Sequence, residues 1–299
     1  MSGKVVSMLT LLLALSHALA QESQDNMKEQ SAEEKKSRAL LYGSYELDTS
    51  NDQEEKQETG EEPDITSRIM EANKRIYGYY AGFLMEGDVA VPRGRNARMC
   101  ADNKPCLWEK SPSGLVRVPY RIAYGFSRAK RGIIKKAMET FHQKTCIRFV
   151  PQLPHEMTFL EIESREGCWS YVGKRGYRQV VSLNARGCVY HGIVQHELLH
   201  ALGFYHEHTR SDRDQHVIIN WRNVRRGYYG NFQKRDTNNL NTPYDYGSVM
   251  HYGRYFFSNR SGPTITPRRN PGFTLGLQQA MTEIDILKVN RLYECDVPK

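Results

Sequence analysis

The chain has 299 residues, 39% of them hydrophobic and 25% charged, and a formal net charge of +8. That balance suits a globular protein and excludes a collagen-like, low-complexity or wholly disordered chain. The apolar run Val5 to Ala14 is too short to cross a bilayer, and no later stretch is longer, so no membrane partner is expected.

That run follows Lys4 and precedes Ala18-Leu19-Ala20, a small-x-small cleavage pattern. Residues 1–20 are therefore expected to be an export signal. The product would be secreted and extracellular, a route that includes storage in secretory granules. The charge is divided. Residues 21–95 hold 10 Lys and Arg against 17 Asp and Glu, net −7, whereas residues 96–299 hold 31 against 17, net +14. An acidic leader before a basic domain reads as a propeptide that helps cover a cationic surface. Nucleic acid is not expected as a partner, because the basic residues are scattered and the chain is exported.

From Gln21 to about Asp64 the chain is rich in Glu, Gln, Ser, Asp and Lys. It buries too little to offset ordering entropy and reads as mostly disordered or loosely helical. Apolar content rises between Ile65 and Tyr80, where helical order is expected. Pro92-Arg93-Gly94-Arg95 is a basic, exposed-looking stretch suited to a trypsin-like protease, which would leave Asn96 at the new end.

Residues 96–299 are enough for one core, with two lobes around a cleft. Val116, Val118, Tyr120 and Ile122 alternate with Arg117, Pro119 and Arg121, which predicts a strand with one wet face. Ile133, Ile134, Ala137, Met138 and Phe141 follow helical spacing, which predicts a helix from about Ser127 to Lys144. Cys146 to Val150, Thr158 to Ile162 and Gln179 to Leu183 are short, strand-like apolar runs. The order of elements points to an α+β fold. Near the end, Thr282 and Asp285 form a capping pair before a helix with Ile286, Val289 and Tyr293 inward. The cysteines are Cys100, Cys106, Cys146, Cys168, Cys188 and Cys295. Six in an exported chain read as three disulfides, with fifteen possible connectivities.

The chemistry is concentrated in His196-Glu197-Leu198-Leu199-His200-Ala201-Leu202-Gly203-Phe204-Tyr205-His206. Residues four apart share a helix face, so His196 and His200 can hold one ion. Val194, Leu198, Ala201 and Leu202 lie nearly opposite them and would face the core. Gly203 can end the helix in the left-handed conformation, letting the chain turn back and present His206. Three imidazoles with an open fourth position describe a catalytic Zn2+ site, one ion per chain. Glu197 is placed as general base and then general acid. The expected reaction is metal-assisted hydrolysis of a peptide bond.

The run His196 to Asp214, HELLHALGFYHEHTRSDRD, resembles the long zinc signature of the astacin metalloproteases, a branch of the metzincins. Ser248-Val249-Met250-His251-Tyr252 resembles the family's Met-turn. The resemblance implies a zincin-like fold, with a twisted N-terminal sheet, an active-site helix and an irregular C-terminal lobe ending in a helix. It implies that Met250 underlies the zinc site, that Tyr252 is a fifth ligand able to swing away and assist the oxyanion, and that Glu207 meets the new amino terminus after activation. Met85-Glu86-Gly87-Asp88 resembles the inhibitory F-x-G-D motif with Met in place of Phe, which implies that Asp88 binds zinc in the zymogen. The family pattern implies disulfides Cys146–Cys295 and Cys168–Cys188, which leaves Cys100–Cys106 as a third. That extra pair, with Asn96-Ala97, is similar to fish hatching enzymes and their six-cysteine relatives. Gly167-Cys168-Trp169-Ser170-Tyr171 resembles the edge strand that pairs with extended substrate. The implied partners are protein substrates, egg-envelope glycoproteins first, met by a monomer. Another extracellular duty, in matrix or immune-cell proteolysis, is the alternative, and a catalytically silent binding protein of the same fold is the third reading.

Overall fold

The computed structural model describes residues 64–79, 84–91, 107–276 and 279–296, with an isolated residue at 21. The expected export signal, the acidic stretch before residue 64, the cut between Arg95 and Asn96, and Cys100 with Cys106 lie outside the described residues. The described residues from 64 onward cluster as one compact unit.

Helix α1 (Ile65–Tyr79) begins the described chain. Asp64 caps it, accepting from the Ser67 N–H at 2.9 Å. A tight hairpin follows, β1 (Leu84–Met85) and β2 (Val89–Ala90), and then the larger elements. These are β3 (Val116–Ile122), α2 (Arg128–Lys144), β4 (Ile147–Pro151), β5 (Leu160–Glu163), β6 (Cys168–Ser170), β7 (Gln179–Leu183) and α3 (His191–Ala201). One mixed sheet runs in the order β1-β2-β6-β7-β5-β3-β4. β3 pairs in parallel with β4 and β5, β5 in parallel with β7, and β6 antiparallel with β7.

β3 departs from its alternating pattern at Pro119. Arg117 and Arg121 stay exposed as expected of a wet face, but Pro119 between them is buried. In α2 the spacing is obeyed: Ser127 accepts from the Lys130 N–H, and Ile134, Ala137, Met138 and Phe141 are buried. Ile133 is the exception, lying 36% exposed at the edge of that stripe.

α3 packs against α2, β6, β7 and α1, and every residue from Gly192 to Ala201 is buried. Its aliphatic face joins the main core with Val194, Leu198 and Ala201. Gly203, at φ +109°, takes the conformation that ends the helix, and its N–H donates to the His200 carbonyl at 2.8 Å.

Beyond His206 the chain is a series of short 3-10 turns around a small antiparallel pair, β8 (Val217–Ile219) and β9 (Ile265–Pro267). A second core, with Phe232, Tyr244, Tyr252 and Phe256, holds these turns together. α4 (Glu283–Leu292) closes the described chain with a complete capping box between Thr282 and Asp285. Disulfide Cys146–Cys295 ties the end of α4 to the start of β4, and Cys168–Cys188 ties β6 to the loop before α3. Among the described residues no helix is long and apolar enough to cross a membrane.

Thr282 does two jobs, capping α4 and donating its hydroxyl to Asp245 at 2.5 Å. Thr282→Ala is expected to lower unfolding stability by about 1–2 kcal/mol, measured by chemical denaturation with the disulfides intact.

Candidate metal centre and active site

Four side chains from distant parts of the sequence meet at one buried point: Asp88, His196, His200 and His206. The helix supplies two of them one turn apart, the chain reversal at Gly203 brings the third, and the hairpin β1–β2 delivers Asp88 at its tip. The Nε2 atoms of His196, His200 and His206 lie 3.0, 3.3 and 3.2 Å from Asp88 carboxylate oxygens, and the His196 and His200 Nε2 atoms are 3.1 Å apart.

The outward nitrogens fix how the rings face. His196 Nδ1 donates to the Val249 carbonyl at 2.7 Å, and His200 Nδ1 donates to the Phe204 carbonyl at 2.8 Å. His206 Nδ1 meets the Glu86 carboxylate at 2.9 Å. With Nδ1 carrying the proton, the tautomer a metal ligand needs would turn the Nε2 lone pairs toward the centre beside an ionised carboxylate. Lone pairs at this separation repel unless a cation lies among them. A tetrahedral zinc ion with bonds of about 2.05 Å would set its ligands about 3.3 Å apart. The separations found here fit that donor set.

The electrostatics agree. Burial works to raise the Asp88 pKa, but His206 and His196 outweigh it and hold the carboxyl well below its ordinary value. Burial works to lower His206, but Asp88 and Glu86 carry it up to about 9. Each carboxylate thus stabilises positive charge at the centre. Glu197 is fully buried, and neither carboxylate oxygen has a hydrogen-bond partner. Burial, and then the Asp88 charge, push its pKa well above the ordinary carboxylate value.

Tyr252 is buried in the second core, its ring stacked 3.8 Å from His208 and tilted against His206 at 4.7 Å. Its hydroxyl donates to the Glu86 carbonyl. Met250 is buried in the main core, and its carbonyl accepts the Glu207 N–H at 2.9 Å. Glu207 is satisfied by Lys288, by Arg210 at 3.2 Å and by the Asp245 N–H at 2.8 Å. The other histidines take other partners: His208 pairs with the Asn231 carbonyl and His251 with the Tyr244 hydroxyl.

Three positions take roles here that sequence reasoning had not given them. Glu86, at φ +47°, holds a conformation that side chains rarely adopt. It keeps it because every polar group is engaged: its carboxylate by His206 and Arg235, its N–H by Asn231, its carbonyl by Tyr252. Asp285 accepts from the Ser248 hydroxyl at 2.5 Å and the Val249 N–H at 3.2 Å, so α4 braces the turn that orients His196. Asn73 is fully buried on α1. Its amide donates to the Gly87 and Cys168 carbonyls at 2.9 and 2.7 Å and accepts the Cys168 N–H at 2.7 Å. Gly167, at φ +73°, leaves room for it, since a Cβ there would lie 2.1 Å from the Asn73 oxygen. Ile65, Ile69, Asn73 and Ile76 continue one helical stripe, and a lone amide on an apolar stripe was the available signal.

Just beyond Asp88, β2 pairs in parallel with β6, and the Ser170 N–H donates to the Asp88 carbonyl at 3.0 Å. The edge of β6 is thus occupied by the same segment that supplies the carboxylate.

An α+β fold that buries an H-E-x-x-H helix against a third histidine defines a metallopeptidase. The profile of the astacin peptidase family matches residues 104–294, and the chain belongs to that family. It is 45% identical to the low choriolytic enzyme of Oryzias latipes over 98% of both chains. It is 47% identical to high choriolytic enzyme 1 of the same fish, over 78% of this chain and 84% of that one. The solved structure of high choriolytic enzyme 1, described as a hatching enzyme zinc-protease, superposes with a TM-score of 0.62 at 48% identity, covering 67% of this chain and all of the other. The protein is an astacin metalloprotease related to hatching enzymes, and it acts on protein substrates.

The Asn73 amide ties residues 87 and 168 together, and its loss would leave buried backbone groups unpaired. Asn73→Leu is expected to loosen residues 84–91 by about 1–3 kcal/mol, seen as roughly tenfold or faster hydrogen exchange at the Gly87–Ala90 amides.

Proposed function

We propose that the chain is the secreted zymogen of a zinc endopeptidase that digests egg-envelope glycoproteins, silenced by its own Asp88. The convergence of Asp88 with three Nε2 atoms at separations suited to tetrahedral zinc is the observation that carries this reading. The two choriolytic enzymes, similar over most of this chain, support the substrate class.

In this reading residues 1–20 direct export, with storage in secretory granules, residues 21–95 are the acidic propeptide, and residues 96–299 are the protease domain. His196, His200 and His206 hold one zinc ion, and Asp88 is the fourth ligand before activation. Zinc held there supplies Lewis acidity, bringing the pKa of a water to about 7 and polarising the scissile carbonyl. Glu197 accepts the proton of the attacking water and returns it to the leaving amine. Tyr252, freed from the Glu86 carbonyl, turns its hydroxyl toward the developing oxyanion. Met250 supports the histidines from the core. Gly167 to Tyr171, freed of β2, pair with the extended substrate backbone. A trypsin-like protease cuts between Arg95 and Asn96, a Cys100–Cys106 disulfide closes the loop behind the new end, and the enzyme acts as a monomer.

The substrate is tested by offering activated enzyme egg envelope and a control extracellular matrix, then identifying the new termini. New ends are expected in envelope proteins, and none with Glu197→Gln or after zinc removal by phenanthroline. Cleavage of the matrix alone would transfer the role to matrix proteolysis. Activity surviving both Glu197→Gln and chelation would sink the mechanism. For the lock, uncut Asp88→Ala should hydrolyse a small peptide at least about tenfold faster than the uncut wild type, a gain of about 1.4 kcal/mol or more. A variant as silent as wild type would exclude Asp88 as the inhibitor.

A further inference from the structure

Glu207 follows the third histidine and is almost wholly buried, so its charge needs a fixed partner. Arg210 reaches one oxygen at 3.2 Å, but its other nitrogens clasp Asp212 at 2.9 and 2.8 Å, so that guanidinium already has its own carboxylate. The remaining oxygen of Glu207 receives the ammonium of Lys288, itself buried on α4. Glu207 is thus held by two cations: Arg210, which it shares with Asp212, and Lys288.

Glu207 is also a backbone clip. Its N–H donates to the Met250 carbonyl at 2.9 Å, and its carboxylate accepts the Asp245 N–H at 2.8 Å. Both ends of the 245–250 turn are thereby fastened to the residue beside His206. The same turn offers the Val249 carbonyl to His196. Residue 207 thus sets the spacing between the third histidine and the first, and Lys288 holds residue 207.

We propose that Lys288 is a positioning residue for peptide hydrolysis: its ammonium is a resident counter-charge of Glu207 beside the Arg210 guanidinium, and it makes the His206–Glu207 corner independent of where the mature chain begins. The pair already stands with Asp88 in place, so the corner is built before activation. Glu207 then needs no new amino terminus to become ordered, in contrast to what the family resemblance implies. The inference rests on the reading of His206 as a ligand of the peptidase metal.

The test uses the full chain, activated by proteolysis, with steady-state cleavage of one peptide. Lys288→Met should lower kcat by about tenfold or more with KM within about twofold, and Lys288→Arg should recover most of the loss. Hydrogen exchange at the Glu207 and Asp245 amides should quicken in Lys288→Met and not in Lys288→Arg. In Glu207→Gln/Lys288→Met both charges leave together, so its kcat should equal that of Glu207→Gln, the non-additivity expected of residues acting as one unit. If Lys288→Met does not fold, that double variant against Glu207→Gln decides the matter, and a further tenfold loss overturns the proposal. A mature chain beginning at Gly94 rather than Asn96, released by an engineered upstream cut, should keep its kcat within about twofold. A large loss there, with Lys288→Met at the wild-type rate, would assign the Glu207 partner to the amino terminus. Glu197→Gln, run alongside, separates the two failures: activity in that variant would remove the peptidase mechanism itself, whatever Lys288 does.

Discussion

A carboxylate with 1% exposure sits at the focus of three buried imidazoles, and the described residues 64–91 are arranged to keep it there. An isolated charge in that place would be driven out or neutralised. Burial works against the Asp88 charge, but His206 and His196 outweigh it and keep the carboxylate ionised. The energy of that contact falls steeply with misplacement, so the backbone that carries Asp88 must be held independently. Three features do so. The hairpin fixes the turn, the Asn73 amide holds Gly87 against Cys168, and β2 extends the sheet beside β6. Glu86 tolerates a strained φ because four partners on the protease side engage it.

A second frame meets the site from the opposite end of the chain. Metal-type histidines depend on the groups that hold their outer nitrogens. Here those groups are the Val249 and Phe204 carbonyls and the Glu86 carboxylate. Val249 is placed by Asp285, and the residue next to His206 is placed by Lys288, both on α4. α4 is anchored in turn by its capping box and by Cys146–Cys295. The irregular segment between β8 and α4 therefore does not need regular structure to be accurate. It needs the two fixed ends that α3 and α4 provide.

The legibility of the sequence follows the range of each interaction. H-E-x-x-H is local, and helical geometry alone brings His196 and His200 together, so that part could be read from spacing. The bounds of α2 and the capping box of α4 were local as well. Asp88 was legible through a resemblance in four residues, not through composition. What could not be read depends on non-local neighbours. Pro119 is buried on a face whose other members, Arg117 and Arg121, are exposed, and Ile133 is partly exposed because the stripe of α2 is narrower than its spacing allows. Asn73 and Lys288 each serve a partner more than 80 residues away. A polar residue on an apolar helix stripe marks such a position, but it does not say whom it meets.

The segment that carries Asp88, proposed above as the inhibitor, is also part of the core. Ile65 and Ile69 are buried in the same cluster as Leu198 and Ala201 of the ligand helix, and Ile76 packs with Trp169 of β6. A cut at Arg95 would touch none of these contacts, for it lies outside them in sequence. Its immediate effect would be to turn an intramolecular contact into an intermolecular one. A short tether keeps a ligand at an effective concentration of order millimolar, and cleavage removes that advantage without weakening any single bond. Dissociation must then expose the isoleucines to water and leave the Asp88 charge to be solvated, while the centre regains its open position. The first of these opposes release and the second favours it, because a carboxylate recovers in water the hydration it lost on burial. On the proposed reading, an acidic segment 21–95 leaving a domain of net +14 would add a long-range attraction that salt weakens. Release of the proposed lock would then be a balance between apolar burial, which salt does not diminish, and charge pairing, which it does.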